Sequence, residues 1–224
     1  MNKLKTTLFA ACSLVLVTIG TAVKADSSNF AGPYIGLTTS GYGVEAEGTS
    51  VSKKDDAYVS SDKLHIGKVA GVVGLEAGYA LPLGSAFLID VGGTYHSGEA
   101  KIDHDGGDNG ARSVAFMIDD LVTFYIAPSL VLSDTSSLYV KVGLSEADTG
   151  VTGDVTSPGN LSGTTWAIGT RTVLSSGIFI RTEAGYTDYN GISAHGKGTS
   201  IASGNTYSAE PTIAFAAIPL GFRF

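Results

Sequence analysis

Residues suited to nucleophilic or metal chemistry are few in this chain, and their spacing argues against both. An esterase or lipase site needs a serine, a base within reach of it and an acid that orients the base. His96-Ser97 is the one adjacent pair. Neighbours on a strand point to opposite faces, so these two cannot serve each other. His65, His104 and His195 fall in or beside polar, loop-like stretches, where a histidine is ordinarily just solvated. Asp103, His104, Asp105 and Asp108 gather the oxygen ligands that a hard cation favours. The glycines Gly106, Gly107 and Gly110 fix no geometry, and the spacing is not that of an EF-hand. This stretch reads as an acidic loop tip. No catalytic residue, metal or cofactor is expected.

A second group of charges is more informative, because it sits inside apolar, alternating segments. Glu76 lies among Val69, Gly71, Val73, Leu75, Ala77, Tyr79 and Leu81, but on the opposite, small-residue face. Asp90 is placed likewise against Phe87, Ile89, Val91, Gly93 and Tyr95. Lys141 opposes Leu138, Val140, Val142 and Leu144. Arg171 opposes Trp166, Ile168, Thr170 and Thr172, and Arg181 and Glu183 oppose Ile178, Ile180, Thr182, Ala184 and Tyr186. Period two is the signature of strands with one apolar face. Charges of both signs on the other face predict either a paired polar interior or a charged pore. Unpaired buried charge is costly, and this favours the paired interior.

These elements follow one another with a regular punctuation. Turns near 82–85, 133–136 and 175–177 are short. Polar stretches near 44–68, 98–112, 146–163 and 190–205 are long and read as loops. The first strand is expected near 33–42 and the fourth within 114–131. There Asp120 shares parity with Val122, Phe124 and Ile126, so either Asp120 sits above an apolar band or the strand carries a bulge. The last strand, from about Ile213, places Ile218, Leu220, Phe222 and Phe224 on one face. An open greasy edge of this kind invites aggregation; closure into a barrel removes it. Pro219 within this strand removes one ladder donor and implies a bulge or local break.

The start of the chain sets the compartment. Met1-Asn2-Lys3-Leu4-Lys5 is basic, an apolar run follows from Leu8 to about Ile19, and Val23-Lys24-Ala25 supplies small residues for a peptidase. This predicts a signal peptide over 1–25, cleaved after Ala25, and one domain over 26–224. The run falls short of the ~20 residues of a spanning helix. Cys12 lies within it, too early for a lipoprotein cysteine, and no other cysteine exists. Lys3, Lys5 and Lys24 are the only charges before Asp26. Their removal takes the net charge from −7 to −10, which argues against a nucleic-acid partner. Eight strands of ~9–11 residues fit the remainder with long loops; ten would fit only with short ones.

Taken in order, Ala31-Gly32-Pro33-Tyr34-Ile35-Gly36, Gly71–Tyr79, Leu138-Tyr139-Val140-Lys141-Val142-Gly143, Arg181-Thr182-Glu183 and Gly221-Phe222-Arg223-Phe224 resemble the small eight-stranded outer-membrane β-barrels: the OmpA transmembrane domain, OmpX and the opacity-protein-like surface antigens. The resemblance spans essentially all of 26–224. It implies an all-β, antiparallel, up-and-down transmembrane barrel in the outer membrane of a Gram-negative cell. It implies contact with outer-membrane lipid and lipopolysaccharide. In that family the terminal strand, here Phe222 and Phe224, is what the outer-membrane assembly machinery recognises. The implied roles are envelope integrity, adhesion or surface antigenicity, carried by outer loops, with any surface ligand unspecified. A small passive porin-like channel is the alternative, and a lipid-modifying outer-membrane enzyme ranks third. Glu76, Asp90, Lys141, Arg171, Arg181 and Glu183 are expected to fill the interior.

Overall fold

The computed structural model describes residues 26–54, 57–98, 100–104, 114–174, 177–198 and 205–224, with backbone alone for 46–68, 100–104 and 114–116. A short 3-10 turn, Ser27–Asn29, precedes ten strands: β1 Gly32–Lys54, β2 Ala57–Pro82, β3 Phe87–Ser97, β4 Ala100–His104, β5 Val114–Val131, β6 Ser136–Thr152, β7 Leu161–Val173, β8 Ile178–Tyr189, β9 Ile192–His195 and β10 Thr206–Arg223. All recorded strand pairings are antiparallel. β4 pairs with β5 beyond the end of β3, and β9 pairs with β10 beyond the end of β8. The wall therefore has eight staves. β1 closes on β10 in unbroken register from Tyr34↔Arg223 to Val51↔Thr206. Closure gives each of the eight staves a neighbour on both sides.

Side-chain alternation runs inside-out relative to a water-soluble domain. Leu37, Phe124 and Leu144 are 65 %, 69 % and 70 % exposed on the outer face, whereas Glu76, Asp90, Arg171 and Arg181 are buried within. An exterior of this kind suits lipid, and a polar interior suits a closed transmembrane barrel. Among the described residues no helix is long and apolar enough to cross a membrane. Past the apolar band, towards the long hairpins, the exterior carries Glu45, Asp120, Glu146, Asp148 and Glu210, all exposed. Carboxylates there mark where the wall leaves lipid.

The stretches expected as long loops are in large part wall. Over 44–68, β1 and β2 continue their ladder from Val44↔Lys68 to Lys54↔Ala57, with one register shift between Gly48 and Ser50. β6 runs on to Thr152, through the loop expected from Glu146, and β10 begins at Thr206, where the loop expected over 190–205 ends. β4 and β9 lie within the other two stretches, and His65 in β2, His104 in β4 and His195 in β9 are strand residues. Polarity in these segments records the change of solvent from lipid to water; ladder hydrogen bonds form on both sides of that boundary.

Two irregularities fall where the sequence departs from pattern. Asp120 has φ of 46°, and the β5–β6 register slips between Asp119 and Val122. A bulge of this kind re-aims the strand by one residue, and Asp120 is also exposed. Its carboxylate accepts a hydrogen bond from Tyr95 Oη at 2.6 Å. At Pro219 the β10–β8 pairing skips from Ala217↔Glu183 to Leu220↔Ile180, while β1 remains in register through Thr38↔Pro219. The missing proline N–H accounts for a break on one side only.

Candidate functional site in the barrel interior

The interior is built in layers, beginning at the end that carries the short turns. Phe30, Leu88 and Val131 form an apolar floor with Val173 against it. Above it, Arg171 Nη1 donates to Asp90 Oδ1 at 3.2 Å, and Arg181 Nη2 donates to the same oxygen at 2.9 Å. Ser129 Oγ donates to Asp90 Oδ2 at 3.1 Å. Arg181 Nη1 reaches Glu76 Oε2 at 3.3 Å and Tyr125 Oη at 3.4 Å. Lys141 Nζ pairs with Glu183 Oε2, which also accepts from Tyr139 Oη at 2.8 Å. The structure thus brings Glu76, Asp90, Lys141, Arg171, Arg181 and Glu183 into one lumen, three anions against three cations. They come from five strands, Arg181 and Glu183 sharing β8, and alternation points each inward.

Aromatic rings complete what the ion pairs begin. The Arg171 guanidinium lies 4.2 Å from the Phe179 ring centre, Arg181 lies 4.6 Å from that of Tyr34, and Lys141 lies 4.3 Å from that of Tyr125. Cations over ring faces gain electrostatically and shed water. Tyr34 and Tyr125 share a hydroxyl contact at 2.9 Å. Each ring has a glycine opposite: Tyr34 covers Gly78, Tyr125 covers Gly92, Tyr139 covers Gly169 and Phe179 covers Gly221. A Cβ at Gly92 would meet Tyr125 Oη and the Ala77 carbonyl oxygen at 2.8 Å each. These rings were not singled out from the sequence. Their signal was inward parity, with Tyr34 in step with Thr38 and Tyr139 in step with Lys141.

Nearer the hairpins, hydroxyls replace charges. Thr123, Ser145, Thr165 and Thr187 form a chain of contacts at 2.7, 2.5 and 2.7 Å across β5 to β8. A cavity of about 30 Å³ lies between this belt and Glu76, Lys141 and Glu183, enough for a few waters at most. A second apolar layer closes the far side: Tyr42, Val44, Val72, Ile118, Leu121, Leu161, Tyr189 and Ile213 are all buried together.

His96 and Ser97 lie on opposite sides of the wall: His96 lines the cavity, and Ser97 is exposed. The His96 imidazole instead contacts Ser40 Oγ at 3.3 Å through Nε2. Among the described residues no partner hydrogen-bonds its Nδ1. His195 Nδ1 contacts Thr206 Oγ1 at 3.1 Å. Asp105 and Asp108 lie outside the described residues, as do the side chains of His65, Asp103 and His104. Ala25 and the rest of 1–25 lie outside them too. Phe222 and Phe224 are exposed on the outer face, ring centres 5.2 Å apart and nearly perpendicular.

This inside-out, eight-staved wall agrees with the comparison of sequence. The family model for the outer membrane protein beta-barrel domain matches residues 12–209. The chain belongs to that family. The solved outer-membrane protein OprG of Pseudomonas aeruginosa is similar to this barrel, with 12 % identity over 87 % of this chain and 97 % of its own and a TM-score of 0.57. Ail, the attachment invasion locus protein of Yersinia pestis, matches at 11 % identity over 84 % of this chain and 99 % of its own, with a TM-score of 0.42. OmpT, an outer membrane protease of Escherichia coli, matches at 8 % identity over 92 % and 100 %, with a TM-score of 0.46. No curated protein matches by sequence. At such identities the likeness is one of fold, and the site of this outer-membrane barrel rests on its own residues.

Proposed function

We propose that this outer-membrane barrel has a structural and surface-interaction role, in envelope integrity, adhesion or antigenicity, exercised by its outer hairpins. The observation that carries this reading is the filled lumen. An apolar floor, a charge-balanced network and an apolar upper layer lie in series along the axis. Eight strands enclose little more than their own side chains, and a passive solute would have to displace every layer. The hairpins supply the exposed surface instead: β1 and β2 pair well past the apolar band, up to Lys54↔Ala57. Short turns on the periplasmic side and longer connections outside are the rule for such barrels, and this orients the hairpins outward. Lipid and lipopolysaccharide are then the partners of the outer face. The signal peptide brings the chain to the periplasm, and the assembly machinery inserts it.

Pure protein, folded in detergent and verified by its gel shift on boiling, should be silent in planar bilayers. Steady unitary conductance would overturn the filled-lumen reading in favour of a channel. An epitope inserted between Lys54 and Ala57 should be reached by antibody on intact cells; an epitope reached only after lysis would overturn the outward placement.

A further inference from the structure

Residues 26–31 are folded across the turn end as a leader with its own anchors. Ser27 is buried; its N–H donates to the Ser85 carbonyl at 3.0 Å, and its hydroxyl to the Gly84 carbonyl at 2.5 Å. Asn29 Nδ2 donates to the Asp134 carbonyl at 3.2 Å. Arg223 Nη1 donates to the carbonyls of Ser28 and Ala31, at 3.2 and 3.1 Å. Phe30 is wholly buried in the floor. Asp26 begins this leader. Its carboxylate accepts from the Ser28 N–H at 2.9 Å, and its own nitrogen lies 3.2 Å from Asp134 Oδ1.

Asp26 is also the residue that follows Ala25, where the small-residue spacing of Val23 and Ala25 directs cleavage. In an unprocessed chain the Asp26 nitrogen is a neutral amide. We propose that hydrolysis of the Ala25–Asp26 bond creates an α-ammonium that Asp134 receives, so that processing converts a hydrogen bond into an ion pair locking the leader over the turn end. Water supplies the oxygen that joins the Ala25 carbonyl carbon as the C–N bond breaks. A carboxylate is left on the released peptide and a protonated amine on Asp26. The site is selective in register, since consecutive Cα atoms lie ~3.8 Å apart. A cut one residue away would leave the Asp26 nitrogen a neutral amide and move the charge off the atom that Asp134 contacts.

The Asp134 carboxylate contacts this nitrogen and the Asp26 carboxylate belongs to the same residue; the Arg223 guanidinium is engaged by the Ser28 and Ala31 carbonyls of the leader. The Ser28 N–H holds the Asp26 carboxyl below its usual range, so Asp26 is ionised at neutral pH. Two nearby carboxylates raise the amine above its ordinary ~7.7–8.0. The ion pair is therefore fully present below that range and is lost as pH rises through the raised value.

Intact mass and terminal sequencing of protein taken from outer membranes should give Asp26 as the first residue. Acetylation of the α-amine, followed against pH by mass spectrometry, should show a midpoint about half a pH unit above a free amine. Asp134→Asn should bring it back down. So should a chain carrying one glycine before Asp26, refolded in detergent, which keeps Asp134 intact. A mature start at any other residue would overturn the proposal, and so would midpoints that neither change moves.

Discussion

Replacing Arg181 by leucine tests whether the lumen is a compensated network. Its side chain is 2 % exposed and pairs with both Glu76 and Asp90. Asp90 would keep Arg171 at 3.2 Å. Glu76, with a side chain 1 % exposed, would lose the cation it pairs with. The balance of three anions and three cations would become an excess of one negative charge in a closed space. Breaking a buried pair by removing one partner costs about 3–5 kcal/mol. With a urea slope of ~1–3 kcal/mol/M, the unfolding midpoint should fall by roughly 2 M. The assay is urea unfolding in detergent, followed by Trp166 fluorescence and by the boiled-against-unboiled gel shift. Glu76→Gln added to Arg181→Leu should recover part of the loss, because it removes the stranded charge. An unchanged midpoint for Arg181→Leu would refute the network, and so would a double variant no better than the single one.

Three other outcomes follow from the same geometry. Gly92→Ala should lower stability by about 1–3 kcal/mol, because the new methyl meets Tyr125 Oη and the backbone oxygen of Ala77 at 2.8 Å; urea unfolding reads it, and a neutral result would mean that ring and wall can part. Phe30→Ala should cost about 3–5 kcal/mol yet leave planar bilayers silent, since the ion pairs remain above the emptied floor. Deleting Phe224 should slow membrane assembly in cells more than it weakens the folded barrel: its ring is 73 % exposed, and its main fixed contact is the N–H bond to the Pro33 carbonyl at 3.0 Å. Normal assembly of that deletion would count against a terminal-strand signal.

The membrane part of the wall was legible because two solvents act on one strand. Lipid on one face and a packed polar lumen on the other impose period two, as in Leu138-Tyr139-Val140-Lys141-Val142. Above the band water replaces lipid outside, and the apolar half of the pattern fades. Residues 44–68 then read as loop although their ladder continues. The six interior charges could be placed by parity, but their partners could not. Arg181 on β8 meets Glu76 on β2 and Asp90 on β3, strands distant in sequence that become neighbours across the lumen only on closure. Tyr34, Tyr125 and Tyr139 were silent for a related reason. An inward tyrosine and an inward glycine are unremarkable separately, and their fit, as at Tyr125 and Gly92, exists only in three dimensions.

The layering also separates the parts of the molecule that must stay fixed from those that can vary. From the floor at Phe30 to the upper layer at Tyr42 and Ile213, the six interior charges are joined by ion pairs and ring contacts across the lumen, and substitutions among them compound because they share a network. Beyond that layer the described interior thins to one small cluster, Val155 and Ala194 with Val151 and Tyr207 against it, and the ladder carries most of the structure. A hairpin held by its own backbone bonds tolerates changes of side chain that the lumen does not. Such a division supports the proposed reading, in which the wall is an anchor and the hairpins carry the interactions.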